Sequence, residues 1–217
     1  AGHMMTEEQT KTASEHTRTR LLAAAREVFS QHGFQGATVR EICRRAGANV
    51  AAVNYHFGSK DGLLAEALNF ASLAALQKAN VNADECPRMR LRLFIRDFML
   101  MLLDEKNPSS QCQIMARELA DPTPALDKIV REGIAPLHEF LGDLVREIAG
   151  DKISKTGLRR CVHSIFGQCL FYRHSQPVLQ RLHPRLRYDR KEIEAIAEHI
   201  ADFSLAGLKC LDGKPGY

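Results

Sequence analysis

The sequence predicts an all-α chain of about nine helices, a small three-helix head followed by a larger helical domain. Three observations predict it. Apolar residues recur at three- and four-residue spacing from Leu21 to Leu211, with no convincing strand-like alternation. Glycines and side chains of the N-capping type fall at the ends of these runs. Prolines sit between the runs or at their starts, Pro136 excepted.

Residues 5–14 are polar without an apolar period, and Ala1-Gly2-His3-Met4 resembles an expression scar, so 1–14 is expected to be a disordered tail. The first helix should begin near Glu15 and carry Leu21, Leu22, Ala25, Val28 and Phe29 inward, with Gly33 as a left-handed stop and Phe34 turning back to the core. Thr38-Val39-Arg40-Glu41 reads as a capping box that opens a short helix bearing Val39, Ile42, Cys43 and Ala46. Gly47 ends it with the positive φ of a tight turn. Asn49 caps a third helix with Val50, Val53 and Phe57 on one side. Ser59 caps a fourth, expected over about 60–82, with Asp61 in its first turn.

Further on, Pro87 opens a helix through Leu91, Phe94, Phe98 and Met101. Pro108 and the pair Pro122, Pro124 bracket another over 111–120. A helix over 126–148 should kink or break at Pro136 and stop at Gly150. The last two helices are expected over 157–174 and 190–211, joined by a solvated basic loop. The division that follows is a head at 15–62, a second domain at 63–212 and a disordered tail at 213–217.

Composition narrows the function classes. Of 217 residues, 45% are hydrophobic, enough for a packed core without disulfide or metal staples. A net charge of +4 permits a polyanionic partner without demanding one. The six cysteines form no CxxC pair, and Cys43, Cys161 and Cys169 lie at helical spacing among apolar residues, as reduced core thiols of a cytoplasmic protein do. The longest apolar run, Phe98 to Leu103, is far short of a membrane span, so no membrane partner is expected. No GxSxG, phosphate-binding glycine loop or HExxH is present, and Glu118 with His138 is the only acid–base pair worth weighing for a helical enzyme.

Two short helices joined by a glycine turn and packed by a preceding helix are the helix-turn-helix arrangement. The start of the second, Asn49-Val50-Ala51-Ala52, is small and polar enough to approach bases. Asn reads a base edge, and Val and Ala methyls pack on thymine. Asn54, Tyr55 and His56 follow, and Lys60 stands at a helix start where a cation and amides can hold a phosphate. Arg40, Arg44 and Arg45 add positive charge.

Read together, Ala37-Thr38-Val39-Arg40-Glu41-Ile42, Ala46-Gly47-Ala48-Asn49 and the run Val53-Asn54-Tyr55-His56-Phe57-Gly58-Ser59-Lys60-Asp61-Gly62-Leu63-Leu64 closely resemble the TetR-family signature over residues 15–65. The resemblance implies a three-helix DNA-binding domain, an all-α effector-binding and dimerisation domain, and a homodimer. By motif position it implies DNA contacts at Thr38, Arg40, Asn49, Val50, Ala51, Asn54, Tyr55, His56 and Lys60. Asn54 departs from the pattern, which usually has an aromatic residue there. Met115-Ala116-Arg117-Glu118 with Asp121-Pro122-Thr123-Pro124, and Gly167-Gln168 with Tyr172, are similar to the CecR-like branch, associated with drug or xenobiotic efflux.

The function expected is that of a ligand-responsive regulator, a repressor on palindromic operator DNA released by a small apolar or drug-like molecule, with no cofactor. The ligand pocket is expected among Phe94, Phe98, Met101, Met115, Glu118, His138, Phe166 and Tyr172, since Met and Phe are adaptable apolar lining. The last two helices carry stripes broad enough to need two partners, so Leu158, Val162, Ile165, Cys169, Ile193, Ile196, Ile200, Phe203 and Gly207 are expected at the dimer interface. The alternative is a metal- or redox-responsive regulator using Cys112, Cys161, His163 or Cys169, although Cys161 and Cys169 are ~12 Å apart along one helix, too far for a shared tetrahedral site without further ligands.

Overall fold

The computed structural model describes residues 7–68, 76, 85–103, 109–150 and 153–211, and all regular structure among them is helical. The described residues form two compact units. One takes those of 1–70 and 108–130, the other those of 71–107 and 131–217. The unit holding the helix-turn-helix is therefore larger than the 15–62 expected, because 108–130 folds with it.

In the first unit, α1 runs Glu7–Gly36 and starts well before Glu15. The residues ahead of Glu15 lack an apolar period, but Glu, Gln, Lys and Ala are strong helix formers and extend a helix nucleated downstream. Thr17 and Thr19 stay helical by donating their hydroxyls to the carbonyls of Ala13 and Glu15, both at 3.0 Å. The buried face of α1 is Leu21, Ala24, Ala25, Val28 and Phe29.

Near its end α1 bends at Gly33, where φ is 67° and ψ is −177°. That conformation is essentially confined to glycine. The bend leaves Gln31 near a helix end, and its carbonyl accepts from Arg117 Nη2 of α6 (Ser109–Ala120) at 3.2 Å.

α2 (Val39–Ala46) is capped at both ends. The Glu41 amide donates to Thr38 Oγ1 at 3.1 Å. Gly47, at φ 58° and ψ 41°, donates to the Arg44 carbonyl while Ala48 donates to that of Cys43, the paired bonds of a Schellman motif. α3 (Val50–Phe57) follows at once, then α4 (Lys60–Ala67), whose N-cap Ser59 accepts from the Gly62 amide at 3.0 Å. Arg18 pairs with Glu66 and lies 5.5 Å over the Phe57 ring, while Arg26 Nε donates to the Ala67 carbonyl at 2.9 Å, tying α3 and α4 to α1. The fourth helix was expected to reach 82; Leu76 is helical, and the rest of that expectation lies outside the described residues. So do residues 1–6 and 212–217 of the two expected tails.

α6 packs on α1, and α7 (Ala125–Ile129) packs on α4. The 126–148 helix is not continuous: α7 ends, Val130–Ile134 widens into a π-turn, and α8 (Ala135–Ala149) restarts with Pro136 in its first turn. Proline has no N–H to give an i→i−4 bond, so it is tolerated at a helix start.

The second unit packs α5 (Pro87–Leu103), α8, α9 (Lys155–His174) and α11 (Arg190–Leu211) around one core that includes Phe94, Ile95, Met99, Leu141, Leu144 and Ile200. Arg92 of α5 pairs with Glu198 and Asp202 of α11. Where a loop was expected after 174, a short helix α10 (Gln176–Leu182) forms with Pro177 in its first turn. The basic residues Arg181, His183, Arg185, Arg187, Arg190 and Lys191 are all exposed, and Arg181 and Arg187 donate to local carbonyls.

The two glycines make different demands. Gly47 is left-handed, which Asn tolerates, whereas Gly33 lies in a region Asn does not relieve. Gly47→Asn is expected to cost under about 1 kcal/mol in urea unfolding and Gly33→Asn about 1–3 kcal/mol. Equal losses would remove the distinction.

Candidate nucleic-acid interface

α3 has only eight residues and buries two side chains, Val53 and Phe57. A helix this short is not stable alone, so these anchors and its caps hold it. The opposite face stands clear. Asn49, Val50, Ala51, Asn54 and Tyr55 are all exposed, Tyr55 at 80% and Val50 at 49%. His56 is half-buried, with its ring edge-on to Tyr55 at 4.9 Å. Thr38 and Arg40 are exposed at the head of α2, and Lys60 is half-buried at the head of α4. The sequence-predicted DNA contacts therefore gather on α3, its two flanking turns and the start of α2.

Several of these side chains already have local work. Asn49 Oδ1 accepts from the Ala51 amide at 3.0 Å, so its carbonyl caps α3 and its amide nitrogen is the group left for a base. Thr38 Oγ1 is likewise the cap of α2. Lys60 Nζ lies 4.2 Å from the centroid of the Phe34 ring, and desolvation there pushes its ammonium below the usual lysine range against the opposing charge of Asp61.

The positive charge of α2 is smaller than the sequence implied. The expected return bond of the capping box is displaced. Glu41 instead takes Arg44 by two bonds of 2.8 Å and Arg45 by one of 2.7 Å. These bonds, Arg44 first and Arg45 second, hold the Glu41 carboxyl down at about 2. Arg45 also reaches Gln31 and Glu27 of α1, so it is a strut between helices. Arg40 has no ion pair among the described residues and stands exposed.

Of the expected pocket, the second unit brings four members together. Phe94 stacks on Phe98 at 5.9 Å, Phe166 sets its edge to both, and His138 lies over Phe166 at 6.1 Å. Phe140 joins at 5.6 Å from Phe94, and Met101 and Tyr172 are partly buried against the same core. Burial, then the facing His163, lowers the affinity of His138 for a proton. Met115 and Glu118 are on α6, in the first unit. Glu118 is a correction: its Oε1 accepts from the Thr123 amide and hydroxyl, both at 2.7 Å, closing the turn between two prolines. Its Oε1 is thereby committed to the turn, and the side chain lines a cavity of the first unit with Phe29, Ile114 and Arg117 rather than joining the aromatic cluster of the second. Arg117 caps Gln31 rather than pairing with Glu118.

The expected dimer stripe needs the same treatment. Val162, Ile165, Cys169, Ile193, Ile196 and Ile200 are buried in the protomer's own core, and Leu158 is partly so. The six buried ones leave no surface for a second chain, and Leu158 keeps only part of its own. Phe203, 65% exposed, and Gly207 face outward, joined by Phe171 at 53%. Between α9 and α11 a groove of about 370 Å³ is lined by Gly167, Gln168, Phe171, Tyr172, His199 and Ile200. Each helix has two apolar stripes, and the more aliphatic one belongs to the protomer.

Burial pushes the Cys169 thiol up to about 12, which leaves no thiolate at neutral pH, and raises Cys161 in the same direction. The described residues contain no cluster of three metal-ligating side chains, and the side chain of Cys112 lies outside them.

Freeing the two arginines gives a test. Glu41 stays ionised from neutrality down towards pH 2, so its contribution to folding is complete above the ordinary carboxylate range, declines as pH falls below that range and is gone below about 2. DNA affinity is therefore expected to show no titration of Glu41 between pH 5 and 8. Glu41→Gln should tighten binding to a random-sequence duplex at low salt and steepen its salt dependence, by roughly one unit of slope per phosphate newly reached. An unchanged slope in a salt titration would show that Arg44 never meets DNA.

The comparisons with known proteins fit this geometry. Residues 21–67 match the bacterial regulatory proteins of the tetR family, and 87–208 match the C-terminal domain of the HTH-type transcriptional dual regulator CecR. CecR of Shigella flexneri is 27% identical over 209 residues, covering 89% of this chain and 93% of its own. Among solved structures, FadR of Bacillus subtilis in complex with stearoyl-CoA is similar with a TM-score of 0.67 at 16% identity, covering 87% of this chain and 98% of that one. AibR in complex with isovaleryl coenzyme A and operator DNA is similar with a TM-score of 0.62 at 18% identity, covering 86% and 97%. With a helix-turn-helix whose reading face is open and a CecR-type domain over more than half its length, this chain belongs to the TetR family of bacterial transcriptional regulators, proteins that bind DNA and are not enzymes.

Proposed function

We propose that the chain is a ligand-responsive repressor that binds palindromic operator DNA as a homodimer and lets go when a small molecule binds its second unit. The observation that carries the reading is the face Val50, Ala51, Asn54 and Tyr55, exposed on a helix fixed from behind by Val53 and Phe57. Val50 and Ala51 pack on thymine methyls, the Asn49 amide nitrogen donates to a base acceptor, and Tyr55, His56, Thr38, Arg40 and Lys60 take phosphates. The departure at Asn54 suits a base or water contact better than a stacked one.

Two such heads read two half-sites if the protomers pair about a two-fold axis. The exposed stripe of Phe171, Phe203 and Gly207 beside the α9–α11 groove supports that pairing. Phe203→Glu puts a charge into this face and is expected to convert the dimer to monomer in analytical ultracentrifugation, with far-UV circular dichroism unchanged. A variant that remains dimeric would move the interface elsewhere.

The effector is proposed to enter the second unit by opening the aromatic cluster of Phe94, Phe98, His138 and Phe166, with Met101 and Tyr172 beside it. Apolar, adaptable lining suits a molecule with a hydrophobic body. The acyl-CoAs bound by FadR and AibR, stearoyl and isovaleryl, make long-chain and short branched acyl-CoAs the first probes to try, with apolar drugs next. Release requires that the ligand favour one spacing of the heads over another.

The reading is tested by selecting bound duplexes from a random pool and measuring affinity for the recovered site. Asn49→Ser keeps the cap of α3 while removing the amide nitrogen. The variant should melt like the parent yet lose about 1–3 kcal/mol of affinity, at one operator position only. Failure to recover any site at low salt would defeat the whole proposal.

A further inference from the structure

We infer that Phe34 is a positioning residue for DNA binding: its ring holds the Lys60 ammonium at the head of α4, in place for a phosphate. The inference rests on the DNA-binding face proposed above but adds a residue outside the proposed contact set.

The geometry begins at Gly33. Were α1 to continue straight, the residue after Gly33 would follow the helical phase of that helix. Instead the backbone swings through φ 67° and ψ −177°, a conformation that is costly except for glycine, and Phe34 leaves on a new heading. Two contacts fix that heading. Phe34 stacks on the fully buried Phe29, with ring centroids 6.1 Å apart and planes within 16°. Arg117 caps the Gln31 carbonyl, and its Nη1 would lie 3.3 Å from any Cβ placed on Gly33. The bend is thus braced from α6 and pinned to the core by an aromatic stack.

From this position the ring reaches the Lys60 Nζ at 4.2 Å, inside the distance at which a ring face attracts a cation. Lysine has four rotatable side-chain bonds, and an unrestrained ammonium would be spread over many rotamers. The ring narrows that spread at a helix start, where the first amides have no carbonyl partner within the helix. A phosphate arriving there meets a cation that has already lost much of its freedom, and the affinity gain comes from preorganisation. The ring does not neutralise the charge as a carboxylate would, so the Lys60 ammonium can still pair with an anion. The glycine-only bend at Gly33 therefore has a function: it aims Phe34.

The experiment is a double-mutant cycle on the full chain with a spectroscopic check. In the parent, the Lys60 ε-methylene protons should resonate upfield of their random-coil position, shielded by the ring, and should return to it in Phe34→Leu. Binding is read with a random-sequence duplex across a salt series. Phe34→Leu should weaken it about two- to fivefold, Phe34→Tyr should restore it, and Phe34→Leu should cost nothing further in a Lys60→Ala background. Lys60→Ala itself should lower the salt slope by roughly 0.9. An unshielded Lys60 signal in the parent would overturn the inference, as would losses that multiply in the double variant, since those would give Phe34 a purely structural role. A parent that binds no duplex would remove the DNA-binding reading itself, and that failure is visible before any variant is made.

Discussion

The structure turns on the shortness of α3. Eight residues cannot hold a helix in water, so every stabilising contact must come from outside. Two buried side chains, Val53 and Phe57, supply the packing, and Asn49 and Gly58 supply the ends. Because so few positions are spent inward, Val50, Ala51, Asn54 and Tyr55 remain outward. A longer helix would need a broader buried stripe and would leave less of its surface exposed. The neighbours are arranged around this need. α2 is closed by a Schellman turn that hands directly to the Asn49 cap, and α4 is capped by Ser59 only two residues after α3 ends. The head is built from caps as much as from core.

Charge is distributed by the same economy. The +4 net charge of the chain says little about where a polyanion would sit. At the helix-turn-helix, Glu41 absorbs two of the three nearby arginines, and Arg45 is committed to α1 as well. Arg40 at the head of α2 and Lys60 at the head of α4 remain beside α3, and Arg20 of α1 brings its guanidinium to the Gly47 turn that leads into it.

How much of this the sequence showed depends on the range of the interaction. Thr38, Asn49, Ser59, Gly33 and Gly47 were all readable, because a cap or a positive φ is decided within three or four residues. The exposed residues of α3 followed, since the caps fix the phase of α3 and the phase fixes what faces out. What failed was tertiary. The start of α1 was misplaced because propensity, not periodicity, carries it to Glu7. The bond from the Thr123 amide to Glu118 was not readable, because that amide's need for a partner arises from the local geometry of Pro122-Thr123-Pro124 and not from a capping pattern. The dimer stripe was misread for a plainer reason. Ile193, Ile196 and Ile200 are more aliphatic than Phe203 and Gly207, and aliphatic side chains mark the deepest burial, which in a protomer is its own core.

The first unit is assembled from segments far apart in the chain. Residues 108–130 are remote in sequence from the helix-turn-helix, yet α6 packs on α1 and α7 packs on α4 within one compact body. The chain leaves this body at Val130 and enters the other at Arg131, inside the π-turn that precedes Pro136. A π-turn has one residue too many per turn and marks a place where helical register can change. Within the first unit, α6 carries Arg117 to the bend at Gly33. The braced end of α1 therefore belongs to the same compact body as the helix-turn-helix, although the segment that braces it is remote in sequence.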